Sequence, residues 1–429
     1  MDPGLILFGG FIVLLFLGVP IAIALGSTAC LVIWAFDQGI LGISPTFYAN
    51  IARFPLLAIP FFILAGLILE RCGISRRLVH LAGLLVGPIP GGLAIVAVLV
   101  CVFFGGVSGS GPADAAAMGA VLIPAMTALG YDRAFTAGLI AAAGSTAIII
   151  PPSIALIVYG VITETSVPAL FAGGIFPGLI AGLCLIVPAF LVSARRGYGG
   201  ERWGNLREIG AAFKDAFWGL LAPGVILGGL YGGLFTPTEA ALVAVFYGLF
   251  VGVLVYRTIA WRDLYQLMLD SAVSSAVVML IVAFAGLFAW TADAVGSIDR
   301  LASALLTITN NSLLMILLVN VLLLVAGMLL DAISIFYVFL PILMPLMAHF
   351  NWDPLWFGVV MCFNLAMGQF TPPVAVNLYI TTFLADTTLE KVSVAIIPFF
   401  LSMLAGLILV ILWPRLSIAP AVWFGLYSP

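Results

Sequence analysis

Charge is scarce in this sequence. Asp, Glu, Lys and Arg make up only 8% of its 429 residues, and hydrophobic residues make up 64%, whereas soluble domains carry about 25% charged residues. No soluble core needs that much apolar sequence. A soluble globular protein is therefore excluded, and an all-α polytopic membrane protein is expected. Basic clusters with interleaved aromatics are missing, which excludes a nucleic-acid surface. The formal net charge of -3 is too small to say anything of partners. Five cysteines (Cys30, Cys72, Cys101, Cys184, Cys362) fall mostly in apolar segments without pairing or metal-ligand spacing. They read as small buried hydrophobes. The opening MDPGLILFGG shows neither a basic leader nor an A-x-A site, so this apolar start reads as a first membrane span rather than a cleaved signal.

Within that apolar background the stretch GQFTPPVAVNLYIT, Gly368 to Thr381, is anomalous. Its adjacent prolines remove two N–H donors and push Thr371 out of helical geometry. A helix through Asn364 to Gly368 must break there and restart near Val374. In hydrocarbon the freed carbonyls are costly, so such a break persists only where it is buried in protein or lines a cavity. Mid-membrane oxygens and opposed half-helix ends are the material of a cation site. The plainer alternative is a Pro-kinked packing helix.

A second copy exists. GSTAIIIPPSIALIVYG, Gly144 to Gly160, places Pro151-Pro152 221 positions before Pro372-Pro373. The same ungapped offset pairs Pro124 with Pro345, Leu122 with Leu343, Met126 with Met347 and Asp132 with Asp353. The chain reads as an internal duplication, a transporter signature.

In chain order, apolar segments near 5–35 and 45–70 are long enough to span. GGVSGSGPAD, Gly105 to Asp114, cannot continue a helix and reads as a re-entrant hairpin (about 80–130) turning at Gly106–Gly111. A broken helix at 132–160 and a span at 169–193 complete a first repeat, residues 1–193. Residues 194–238 hold a polar loop with Arg195, Arg196, Arg202, Arg207 and Lys214, then a linking span at 215–232. Residues 239–429 form the second repeat. It has spans near 239–256 and 263–289, a hairpin (about 300–350) with its tip at Gly327–Ile333, a broken helix at 355–386 and a last span at 394–416. Glycines four apart, as at Gly174, Gly178 and Gly182, mark close helix packing.

Five crossings separate equivalent points, and an odd number turns the second repeat over. With the loop 195–214 in the cytoplasm, every Lys and Arg except Arg53, Arg300 and Arg415 lies on that side, as the positive-inside rule requires. The N-terminus is then cytoplasmic and the C-terminus periplasmic. The first hairpin opens to the cytoplasm and the second to the periplasm, and the tips and breaks meet near the midplane.

The candidate cation ligands are oxygens at these breaks and tips. Gly106, Ser108, Gly144, Ser145 and Thr146 supply one cage, and Gly327, Gly368, Thr371 and Val374 its mirror. The alternative for the Ser and Thr hydroxyls is back-bonding to the preceding helical turn. Asp114 and Asp331 are ionisable groups at membrane depth, where charge is rare and usually functional, though each can instead cap or neutralise a helix start. Asn377 either contacts an anionic substrate or bonds across helices. Thr236-Pro237-Thr238-Glu239 is a helix-start signature. Gly106-Val107-Ser108-Gly109 matches the G-x-S-G of rhomboid-type proteases. That chemistry needs a facing histidine base, and His80 and His349 both fall near hairpin mouths. No H-E-x-x-H, Walker loop or dinucleotide fingerprint occurs, so no enzyme is expected.

Four motifs carry a family resemblance: GGVSGSGPADAAAMGAVLIPAM, IIIPPSIALIVYG, GLFTPTEAA and FGVVMCFNLAMGQFTPPVAVNLYIT. In this order and over nearly the whole chain, they resemble the large membrane subunit of TRAP (tripartite ATP-independent periplasmic) transporters. Ala147 and Ala375 stand where that pattern usually has glycine. The resemblance implies an ion-transporter-superfamily fold of two inverted repeats in the bacterial inner membrane. It implies sodium-coupled uptake of an organic acid delivered by a periplasmic binding protein, a small four-helix membrane subunit as partner, and an elevator motion. Sodium is expected at the nine cation positions just named, with no cofactor. Ser110, Pro151, Ser153, Asp331, Pro372 and Asn377 are expected to meet the substrate. The alternatives are a stand-alone sodium-coupled dicarboxylate carrier and, in another class, a channel.

Overall fold

A computed structural model describes residues 2–86, 89–199 and 203–428, and within them every regular element is helical. Arg202 lies outside the described residues. The chain opens with α1 (Pro3–Phe16), α2 (Ile21–Ala35), α3 (Ile43–Ile51), α4 (Ala58–Arg71) and α5 (Ile74–Val86). A first hairpin, α6 (Gly92–Ser108) and α7 (Gly111–Ala128), precedes a broken helix, α8 (Arg133–Ser145) and α9 (Ile154–Thr163). Long helices follow: α10 (Val167–Arg196), α11 (Leu206–Tyr231), α12 (Pro237–Leu249, extended by a π turn to Val255) and α13 (Trp261–Ala294). After α14 (Ser297–Leu306) comes a second hairpin, α15 (Ser312–Gly327) and α16 (Ala332–Phe350), and a second broken helix, α17 (Pro354–Gly368) and α18 (Val376–Leu384). The short α19 (Leu389–Ala395), α20 (Ile397–Leu412) and α21 (Arg415–Trp423) close the chain. Among the described residues six helices are long and apolar enough to cross a membrane, or seven if α19 and α20, bent by 48°, count as one.

Local chemistry explains the boundaries. Asp132 and Asp353, equivalent under the 221-residue offset, each cap a broken helix by accepting an N–H three residues on, from Phe135 at 2.8 Å and Trp356 at 3.0 Å. Thr236 and Glu239 form a reciprocal capping box at the start of α12, with Pro237 in the first turn. This is the structural role expected for that motif.

Four expectations need correction. The single span over 5–35 is two helices of 14 and 15 residues, folded back so that Gly10 faces Thr28. Gly18, at φ 80°, and Pro20, without an N–H, break it. GGVSGSGPAD holds more helix than expected: α6 runs on to Ser108 and ends at Gly109, φ 63°, and α7 starts at Gly111, so the hairpin turns within the expected Gly106–Gly111. Gly105 and Gly106 are small because Ala147 and Pro151 press on them, and they do not end the helix. The described part of the basic segment 195–214 is mostly helix, since α11 begins at Leu206 with an Asn205–Glu208 capping box. Lastly, the termini share a face. Arg71–Asp263 (2.7 Å) and Arg77–Asp215 (3.1 Å) mark one face. Just beyond the far end of α13, Arg300 of α14 pairs with Asp2 at 2.6 Å. The far end of α11 carries Tyr231, stacked on Phe424 at 4.7 Å. The folded-back first segment is the reason: it adds no net crossing.

Helices α1–α4, α12 and α13 pack into one group, while both hairpins, both broken helices, α10, α20 and α21 pack into another. The candidate site lies in the seam between them.

Candidate functional site

At the first tip, Ser108 donates its hydroxyl hydrogen to Asp114 Oδ1 and accepts the Ser110 N–H at 3.2 Å. Asp114 is fully buried in the first turn of α7, and its Oδ2 has no partner. At the second tip, Asp331 caps α16. Its carboxylate accepts N–H bonds from Ile333 (3.0 Å) and Ser334 (3.3 Å) and the Ser334 hydroxyl at 2.5 Å. Capping is therefore part of its role, and it also lines the cavity described below.

The tips press on the breaks. A side chain on Gly368 would begin 2.7 Å from the Gly327 Cα, and one on Gly144 would begin 2.9 Å from the Ala115 nitrogen. Gly106 lies against the Pro151 carbonyl. Only backbone can meet backbone at such distances, so carbonyl oxygens are brought close without side chains intervening. The hydroxyls of Ser145, Thr146 and Thr371 donate back to Ala142 (2.7 Å), Ala143 (2.7 Å) and Met367 (2.6 Å). This is the back-bonding alternative. It uses the hydroxyl hydrogen and leaves oxygen lone pairs free to accept.

A cavity of about 310 Å³ lies where the tips approach the second group. Of the expected residues, Ser108, Ser110 and Asp331 line it. Pro151, Ser153, Pro372 and Asn377 do not. Ser153 caps α9, accepting the Leu156 N–H and donating to the Ile148 carbonyl. Asn377 is buried and donates to the Ala141 carbonyl at 3.2 Å, the interhelical bond that was its alternative. The Val374 side chain is exposed at 39%, so only its backbone carbonyl could serve a cation there.

Three polar cavity residues escaped sequence reasoning. Gln369, from the second break, is buried with its Oε1 unpartnered. Its signal was present, a lone amide inside an apolar stretch. Glu70 of α4 and Ser274 of α13 complete the far wall, and nothing local marks them. Leu67 and Glu70 also line a larger vestibule of about 880 Å³ on the arginine-rich face, which contains Arg76 and His80. Neither histidine lines the inner cavity, so the protease-like Ser108 has no histidine base there.

This architecture is shared with a solved transporter. The Alcanivorax borkumensis YdaH transporter superposes with a TM-score of 0.62 at 18% identity, covering 99% of this chain and 98% of that one. The likeness shows a shared polytopic, all-helical fold. The family follows from sequence: residues 8–416 match the description "Tripartite ATP-independent periplasmic transporter, DctM component", and the chain belongs to that family. It is similar to the C4-dicarboxylate TRAP transporter large permease protein DctM of Pseudomonas aeruginosa, 38% identical over 94% of this chain and 95% of that one. It is also similar to the 2,3-diketo-L-gulonate large permease protein YiaN of Escherichia coli, 36% identical over 95% and 96%. The isethionate permease protein DctMQ of Oleidesulfovibrio alaskensis is 40% identical over 95% of this chain, which spans 65% of that relative's length.

Proposed function

We propose that this chain carries an organic acid across the bacterial inner membrane, driven by sodium, and receives it from a periplasmic binding protein with a small membrane subunit alongside. One observation carries this reading. Both hairpin tips and the second helix break contribute residues to a single cavity, at Ser110, Asp331 and Gln369, in the seam between two helix groups. The relatives' names supply the cargo class, since C4-dicarboxylates, 2,3-diketo-L-gulonate and isethionate are all organic acids.

The two halves are taken as inverted repeats. Five crossings (α8 with α9, then α10, α11, α12 and α13) lie between the hairpins, an odd number. In support, the first hairpin's mouth sits by Tyr198, whose carbonyl accepts from Gly91 at 3.2 Å, near the Arg196–Asp132 pair. The second is closed by Trp352 donating to Ser312 at 2.8 Å, beside Asp353 and Tyr427. The arginine-rich face is cytoplasmic by the positive-inside rule, which places both termini in the periplasm. Sodium is held by carbonyl and hydroxyl oxygens where the tips meet the breaks, and the hairpin group moves as an elevator against α4 and α13.

The test is uptake by proteoliposomes containing this chain, its small subunit and its binding protein, with and without an inward sodium gradient. Uptake that needs all three proteins and sodium is expected. Full uptake by this chain alone would favour a stand-alone carrier. Sodium-independent flux would remove the coupling.

A further inference from the structure

The chemistry of the cavity wall restricts the cargo. No lysine, arginine or histidine is among the described residues that line it, while two carboxylates, Glu70 and Asp331, do. An anion bound there has no cationic side chain to pair with and must be held by dipoles. Two sources converge at one end. Helix α7 starts at Gly111, and its cap residue Ser110 makes no side-chain cap bond, so the N–H groups of Gly111 and Ala113 have no partner. Such a helix start favours negative charge. Gln369 is the second source. It is only 7% exposed, lines the cavity and fills the space a Gly111 side chain would take, yet its amide makes no hydrogen bond and its Oε1 is buried without a partner. A buried amide is expected to be bonded, so its unmet donors and acceptor point to a ligand.

The rest of the lining differs. Under the 221-residue offset Ile148 is the counterpart of Gln369, and both line the cavity. With Phe104, Ile154, Ile63 and Ile281 it makes much of the remaining lining apolar. A second ionised group would meet these side chains or the Glu70 and Asp331 carboxylates and find no cationic side chain in the lining, which is strongly disfavoured.

We propose that the cavity takes a monoanionic acid with an apolar body, its acid group between the α7 N-terminus, Ser110 and Gln369, and that it discriminates against acids charged at both ends. This rests on the transport reading above and names the class of substrate within it.

The test titrates the complete membrane complex, this chain with its small subunit in nanodiscs, with pentanoate or pentanedioate in sodium or choline buffer, read by thermal unfolding. Pentanoate is expected to half-saturate the sodium-dependent shift at a concentration at least tenfold below pentanedioate. Gln369→Ala should weaken the pentanoate response at least fivefold, and Ile148→Gln should narrow the gap between the acids. Pentanedioate binding as well as pentanoate would overturn the monoanion inference and leave the transport reading standing. Wild-type complex that unfolds cooperatively but responds to neither acid in sodium would overturn both. The wild-type comparison is independent of whether either variant folds.

Discussion

The two helix breaks occupy equivalent positions and solve the same backbone problem differently. Both Pro–Pro bonds are cis. In the first break the chain supplies its own partners: Ile149 and Ile150 donate to the Thr146 carbonyl, and Ser153 caps α9 while bonding back to Ile148. Nearly all of it is buried. The second break lacks a side-chain cap. Ala375, at φ 43°, begins α18 and donates its N–H to the Met328 carbonyl at 3.0 Å, across to the second hairpin tip. Pro373 and Val374 are exposed. A self-contained break holds its shape wherever it moves, whereas a break completed by a neighbouring tip changes when that tip moves. On the proposed reading the second break is the joint at which occupancy of the neighbouring tip would be felt, while the first keeps its geometry through its own bonds. The tip contacts agree: Gly105 meets Ala147 at the first break, but Gly327 meets Gly368 at the second, where neither partner has a side chain.

Substitutions at matched positions test this contrast. The largest effect is expected for Gly368→Ala, whose methyl would begin 2.7 Å from Gly327 backbone atoms. A destabilisation of about 3 kcal/mol is predicted from overpacking, read as a lowered thermal midpoint. Ala147→Gly in the first break should change stability by less than about 1 kcal/mol. Equal effects would mean the two contacts are equivalent after all.

Next is Ser153→Ala, which removes the α9 cap and strands the Ile148 carbonyl, at a cost of about 2 kcal/mol. Val374→Ala, at the equivalent but uncapped position, should stay within about 0.5 kcal/mol. A neutral Ser153→Ala would show that the first break does not depend on its own cap.

Coupling should divide the same way. Thr371→Ala is predicted to raise the sodium concentration for half-maximal uptake about fivefold, roughly 1 kcal/mol, with Thr371→Ser much milder because the oxygen remains. Initial uptake against sodium in the reconstituted system measures it. An unchanged half-saturation would move the cation away from Thr371 and leave the second break a packing kink. The smallest effect is expected for Ala375→Gly. Relief of the left-handed alanine, offset by added freedom in the unfolded chain, should stabilise by roughly 0.5 kcal/mol, and a loss of stability would mean the alanine methyl is needed for packing.

Much of this molecule was legible in its residues. Hydropathy marks the long helices because each must bury its backbone polarity along its own length in lipid. The double prolines mark the breaks because a missing N–H is a local, unavoidable fact. The family motifs, the hairpin tips and the cavity residues Ser108, Ser110 and Asp331 belong to the same local grammar. Tertiary structure decided the rest. Whether Gly18–Pro20 bends a span or folds it back depends on what α1 and α2 pack against. Whether a serine or threonine hydroxyl at a break faces a ligand or its own preceding turn depends on the neighbouring backbone. The wall formed by Glu70 and Ser274 comes from helices distant in sequence, and Asn377 is held outside the cavity lining by its bond to the Ala141 carbonyl on α8. Sequence determines what a segment must satisfy within itself. Only the packed fold decides which groups, satisfied or not, are brought to face one another.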